Sequence, residues 1–172
     1  MSSSAQGADT EALMKRTVSL LLALCLCFCL GACGESRETV SMYDLRVEML
    51  SAAGKLPDML SASSSDDNAK SSFSYISDMD YDKVEAYFVS YANELASYEI
   101  AVIAVKDASD VSVAADSLKQ HAQNRVDFYR SYGVSEVPRA ENALVFTDGR
   151  YAVLIMTDSN SAVRSAFEDF VN

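Results

Sequence analysis

Glu99-Ile100-Ala101-Val102-Ile103-Ala104-Val105-Lys106 is the stretch on which the fold turns. Charges stand only at its two ends. The run between them has no polar face, so it predicts a central strand buried on both sides. Upstream, Val84 to Tyr91 sets Val84, Ala86 and Phe88 against Glu85 and Tyr87, the alternation of a second strand. Downstream, Val111, Ala115, Leu118, Ala122, Val126 and Tyr129 step by four, three, four, four and three. That spacing predicts one apolar stripe on a long helix from Val111 to Tyr132, with Gly133 as its C′ residue and Pro138 as a stop.

Further out, Asn142 to Thr147 and Arg150 to Thr157 flank Asp148-Gly149. An Asp-Gly pair between apolar runs predicts a hairpin with a type I′ turn. Val163, Phe167 and Phe170 mark a last helix with Asp158 as its cap. Before the strands, Leu45, Met49 and Leu50 place a helix from Tyr43 to Ala53, ended by Gly54 and Pro57. The Ser-rich run 61–72 reads as a mobile loop. The element order is α-β-β-α-β-β-α. The expected fold is α+β: a four-stranded, mainly antiparallel sheet with helices over one face, the first helix placed at an edge. A single domain over residues 42–172 would hold all of it.

Several of these segments carry a likeness. Glu99-Ile100-Ala101 in a strand, a long amphipathic helix ending at Tyr132-Gly133, and a strand pair ending in Gly149-Arg150-Tyr151-Ala152-Val153 follow one another. The chain resembles, over roughly residues 43–171, a family of short Gram-positive lipoproteins carrying a domain of unknown function. In that family pattern an Asp precedes the Glu, and Tyr98 stands there in this chain. The resemblance implies a location and a fold and carries no activity.

The N-terminal segment agrees with that location. Leu30-Gly31-Ala32-Cys33 reads as a lipobox, preceded by Lys15-Arg16 and an apolar run from Leu20 to Leu30. Basic start, apolar core and small residues before a cut are the parts of a secretory signal peptide. The run falls short of the about 20 apolar residues a spanning helix needs. Residues 1–32 are therefore expected to be a lipoprotein signal peptide, cut so that lipid-modified Cys33 becomes the first residue. Residues 33–41 would be a polar tether. Asp9 and Glu11 do not suit the basic start of a signal, whereas Met14-Lys15-Arg16 does, so translation is expected to begin at Met14. Cys25, Cys27 and Cys29 would leave with the signal. The remaining chain could then run no thiol chemistry and form no disulfide.

The net charge of −11 is unchanged by that cut, because residues 1–32 hold two acids and two bases. An acidic surface argues against nucleic acid and against electrostatic docking on anionic lipid. The expected membrane link is the lipid on Cys33 alone, and two acyl chains suffice for stable anchoring.

Chemistry-bearing residues are few. His121, the only histidine, sits beside the apolar stripe and reads as a half-exposed boundary residue. No Ser lies in a nucleophile-elbow pattern, so no Ser-His-Asp triad is expected. Asp78, Asp80 and Asp82 could turn oxygens toward a hard cation, but Lys83 and Val89 stand where a Ca²⁺ loop needs Gly and Glu. They are weak metal candidates, read as an acidic turn. Glu99 is either a buried acid-base group or a structural partner of Arg or Lys. Without tryptophan an aromatic sugar platform is disfavoured. Tyr87 and Tyr91 share one strand face, and tyrosines on an exposed sheet face suit a protein interface. No phosphate loop or dinucleotide fingerprint is present, and no cofactor is expected.

The expected function is a membrane-anchored, extracytoplasmic, non-catalytic interaction or scaffold domain with no assigned catalytic residue. The alternative is a small-ligand or cation-binding accessory lipoprotein of a transport system, and a cell-envelope hydrolase is third.

Overall fold

A computed structural model describes residues 40–172. The signal segment 1–32, with Leu30, Gly31 and Ala32, and the lipidation residue Cys33 lie outside the described residues, as does most of the 33–41 tether. Among the described residues no helix is long and apolar enough to cross a membrane.

Helix α1 (Met42–Ala52) starts at Ser41, whose Oγ accepts from the Asp44 N–H at 3.3 Å. It stops at Gly54, whose φ of +76° is a left-handed turn that glycine adopts without strain. Then follow β1 (Met59–Ser63), the short α2 (Ala69–Phe73), β2 (Val84–Ala92), β3 (Glu99–Val105) and α3 (Val111–Tyr132). The chain continues through α4 (Val137–Glu141), β4 (Leu144–Asp148), β5 (Tyr151–Met156) and α5 (Asn160–Val171). All neighbouring strands pair antiparallel in the order β1-β2-β3-β5-β4.

The α+β class holds, but the sheet has five strands and not four. The extra strand is β1, whose last three residues fall in the segment read as a Ser-rich loop. Met59-Leu-Ser-Ala-Ser63 lacks the apolar alternation of a strand, so its place comes from its partner. It lies along β2 with Met59 opposite Ala92 and Ser61 opposite Ser90. The two serine hydroxyls of that pair meet at 2.7 Å. The rest of the segment is a turn closed by Asp66, whose carboxylate accepts the Ser63 N–H at 2.7 Å, and then α2.

Helices also cover both faces and not one. Along β3, Ala101, Ile103 and Val105 pack toward α3, while Ile100, Val102 and Ala104 pack toward α1 and α5. β5 divides the same way, with Ala152, Leu154 and Met156 on one side and Tyr151, Val153 and Ile155 on the other. A strand apolar at both parities exposes core on both faces, and each face must be shielded. Leu118, Ala122, Val126 and Tyr129 of α3 cover one. Leu45 and Met49 of α1 with Val163 and Phe167 of α5 cover the other.

Local details shift by a residue. In the β4–β5 hairpin Asp148 pairs with Tyr151, so the loop is Gly149-Arg150. Only Gly149 has positive φ, +54°, the pattern of a type II′ turn in place of type I′. Gly133 follows α3 with an extended φ of −163°, and a Cβ there would lie 3.3 Å from the Tyr129 ring. Close packing, not a left-handed cap, makes glycine suitable. Pro138 does not simply stop a helix but stands in the first turn of α4, where its missing N–H costs nothing. Asp158 does not cap α5. The N-cap position is Ser159, with no side-chain cap, and Asn160 Oδ1 accepts the Thr157 N–H at 2.8 Å.

Ile103 is fully buried against the α3 stripe that holds Leu118, whereas the Lys119 side chain is 60% exposed. Ile103→Ala should cost about 2–5 kcal/mol. Lys119→Ala should cost under about 0.5 kcal/mol. Urea melts of the two variants measure the contrast, and equal losses would contradict the assigned faces.

Candidate functional site

Glu99 opens β3 on the same side as Ala101 and Ile103, so its carboxylate starts life facing α3. It is completely buried. An isolated carboxylate there would be costly, and two groups of α3 meet it. His121 Nε2 lies 2.6 Å from Oε1, and Arg125 Nε lies 3.4 Å from Oε2. His121 and Arg125 are four residues apart and share one helix face. Arg125 is held in turn: Nη2 donates to Tyr129 Oη at 2.5 Å, and that hydroxyl donates to the Ala96 carbonyl at 2.7 Å. Glu99 Oε2 and Arg125 Nε face each other without hydrogen-bond geometry and have no other partner among the described residues.

His121 is therefore 8% exposed and not half exposed as expected. The buried surface of α3 is wider than its apolar positions, because Glu99 supplies a polar partner beneath the helix. Of the two roles open to Glu99, the structural pairing with an arginine is present, and a histidine joins it.

The ring of His121 lines a cavity of about 180 Å³ together with Tyr75, Asp78, Ser117, Gln120 and Asn124. Tyr75 meets the imidazole edge to face at 5.2 Å and tilts against Tyr91 at 5.1 Å. Burial first, and the Glu99 carboxylate second, push the Tyr75 hydroxyl well above the usual phenol range. Ser117, one turn before His121, donates to Asp78 Oδ1 at 3.0 Å, and its Oγ meets Ser77 Oγ at 2.7 Å. Its hydroxyl is thus engaged by the loop after α2. Among the described residues no hydroxyl hydrogen-bonds His121, and Nδ1 has no partner.

The three aspartates of the acidic turn separate. Asp78 belongs to the cavity. Asp80 Oδ1 accepts the Asp82 N–H at 3.0 Å and caps a 3-10 turn, and the Asp82 carbonyl accepts from Lys106 Nζ at 2.9 Å. Among the described residues no three His, Cys, Asp or Glu side chains come together as metal ligands.

The expected exposed tyrosine face on β2 is not there. Tyr87 is fully buried, edge-on to Phe73 at 5.1 Å, with its hydroxyl donating to the Ala69 carbonyl at 2.6 Å. α2 roofs that face, and Tyr91 is half-buried beside Tyr75.

A second polar cluster lies at the start of β3. Arg139 Nη1 meets Glu136 Oε2 and lies 3.1 Å from Ser97 Oγ, Nε donates to Asp158 Oδ1 at 2.8 Å, and Nη2 donates to Tyr98 Oη at 3.0 Å. The guanidinium lies 3.8 Å from the centre of the Tyr98 ring. A neighbouring hollow includes Arg139 in its wall, but these partners already engage the donor fork. Arg139 and then Tyr98 hold the Asp158 carboxyl below its ordinary value. At Glu136 burial opposes the shift, but the Ser97 N–H and the Arg139 charge outweigh it and lower the value.

Arg125, Arg139 and Tyr75 were not foreseen. The one signal available was the i, i+4 spacing of Ser117, His121 and Arg125 along the flank of the apolar stripe.

A family described as DUF4358, a domain of unknown function, matches residues 58–157. No curated protein and no solved structure matches the chain. The matched span runs from just before β1 to just past β5. It contains Glu99, His121, Arg125, Arg139 and every lining residue of the cavity.

Glu99→Ala strands the Arg125 charge and should cost about 3–5 kcal/mol. Glu99→Gln, which can still accept from His121, should cost less, as urea melts will measure. The Arg139 cluster predicts an acid dependence. Glu136 and Asp158 bind protons less readily folded than unfolded, where their values are about 4.3 and 3.9. Their contribution is present above those values and fades as pH falls through the lowered folded ones. Arg139→Met should cost on the order of 1.5 kcal/mol at pH 6. The gap to the parent should shrink below about pH 4, read from melts across pH 3–6.

Proposed function

The chain belongs to the DUF4358 family, and from that premise we propose that it is a lipid-anchored extracytoplasmic domain that binds a small polar ligand in the His121 cavity without transforming it. The observation that carries the binding half is the 2.6 Å contact by which buried Glu99 holds His121, a residue of the cavity wall. A buried carboxylate that fixes an imidazole, with the other ring nitrogen unpartnered, is a preorganised recognition group. Catalysis would need a further group positioned on the imidazole, and Ser117 is instead bound by Asp78 and Ser77. With both sheet faces covered, recognition on an open sheet is disfavoured.

Support for the location is the lipobox Leu30-Gly31-Ala32-Cys33 behind Lys15-Arg16 and an apolar run, and its likeness to Gram-positive lipoproteins. The domain's acidity is consistent with attachment by lipid alone. A second reading, a protein-interaction domain, is favoured by one observation: Leu95, Phe128, Tyr132 and Val134 are exposed around the C-terminal end of α3. An accessory role beside a transporter suits either reading.

Cys33→Ala should abolish fatty-acid labelling and leave the precursor uncut, seen by metabolic labelling and gel mobility. Unchanged lipid incorporation would overturn the anchor. For the cavity, His121 is the only histidine, so its imidazole NMR signals are unambiguous. A library of small polar compounds should contain some that shift those signals in the parent and fail to bind His121→Ala. A library that never moves them would overturn the binding reading.

A further inference from the structure

We infer that the His121 cavity selects a small primary ammonium cation. This rests on the binding reading above and adds the class of ligand. The first step is the tautomer. An ionised Glu99 offers only acceptor oxygens, so in the neutral ring Nε2 carries the proton that bridges to Oε1 at 2.6 Å. In that tautomer Nδ1 is an acceptor, on a ring more than nine-tenths buried and with no partner among the described residues.

The second step is the rest of the wall. Among the described residues Asp78 is the only charged side chain lining the cavity. Its Oδ1 accepts from Ser117 at 3.0 Å, which leaves Oδ2 as an acceptor. Gln120 spends a donor on Asn124 Oδ1 at 3.0 Å, which leaves its own carbonyl oxygen as an acceptor. Arg125, the nearby cation, is turned to Glu99 and Tyr129 and does not line the space. With the proton on Nε2, the lining residues His121, Asp78 and Gln120 offer three acceptors, and a primary ammonium carries three N–H donors. Tyr75, partly exposed, lines the same wall.

The third step is size. About 180 Å³ is roughly six times the share of one water in the liquid, about 30 Å³. That is far more than a bare metal ion fills, and enough for an organic cation of a few heavy atoms. Among the described residues only two strong metal donors, His121 and Asp78, line the wall.

The test is a titration of the full-length protein in detergent, observed at the His121 imidazole nitrogens by NMR, with four probes. Ethanolamine has the ammonium and its N–H groups, choline has the charge without them, ethylene glycol has neither, and zinc chloride is the metal alone. Ethanolamine should shift Nδ1 saturably. Choline and ethylene glycol should bind at least tenfold more weakly. Asp78→Asn and Gln120→Leu should each weaken ethanolamine at least tenfold while leaving the urea midpoint near that of the parent. Equal binding of choline or ethylene glycol, a response to zinc alone, or an unchanged affinity in Asp78→Asn would overturn the ammonium assignment. If ethylene glycol moves His121 as well as ethanolamine does, the cavity still binds and only the class is wrong. If no probe and no library compound moves His121, the binding reading falls as well.

Discussion

A carboxylate at the head of a strand buried on both faces is the constraint around which this domain is arranged. β3 is the middle strand of five, and from Ile100 to Val105 it carries only apolar side chains. Glu99 enters the same slot with a charge. The strand cannot be central without burying that group, and the group cannot be buried alone. The His121 and Arg125 flank of α3 answers it, which fixes the rotation of α3 about its own axis and places its stripe over Ile103 and Leu154. Once α3 is set, its partner Tyr129 reaches the Ala96 carbonyl and ties the β2–β3 connection to the helix. The cavity lies beside the same contact, since His121 is one of the residues that line it.

Much of this was legible. The extent of α3, Val111–Tyr132, follows from the spacing of its apolar residues alone. β2, β3 and β5 appear within a residue or so of their observed bounds, because they pair on both edges and their apolar pattern reports it. The failures have a common cause. β1, α2 and α4 are short pieces whose conformation is set by what they lean on. The serines of β1 say little until Ser61 meets Ser90 across the ladder. Helices over one face was an inference from strand order, while the two-sided apolarity of β3 already demanded two covers.

The candidate site was half legible. Glu99 and His121 stood out as the lone acid of the central strand and the lone histidine, but nothing in the chain says that residues 22 apart along it will touch. Burial of His121 could not be read from a helix wheel, which counts a histidine as polar whatever lies beneath it. Tyr87 erred in the opposite direction. Alternation put it opposite the apolar residues of β2, and α2, itself unforeseen, closed over it.

The outermost strands carry one more consequence. A sheet of five antiparallel strands presents two unpaired rims, and such rims are where separate chains can join by adding strand to strand. Both rims here are only five residues long, β1 and β4. One is built largely of serine and alanine, and the other ends at Asp148 in a tight turn. Neither offers the long, flat, greasy ladder on which fibrils grow. Molecules crowded side by side would slide past one another at these margins, so the plainest strand in the chain guards against self-assembly.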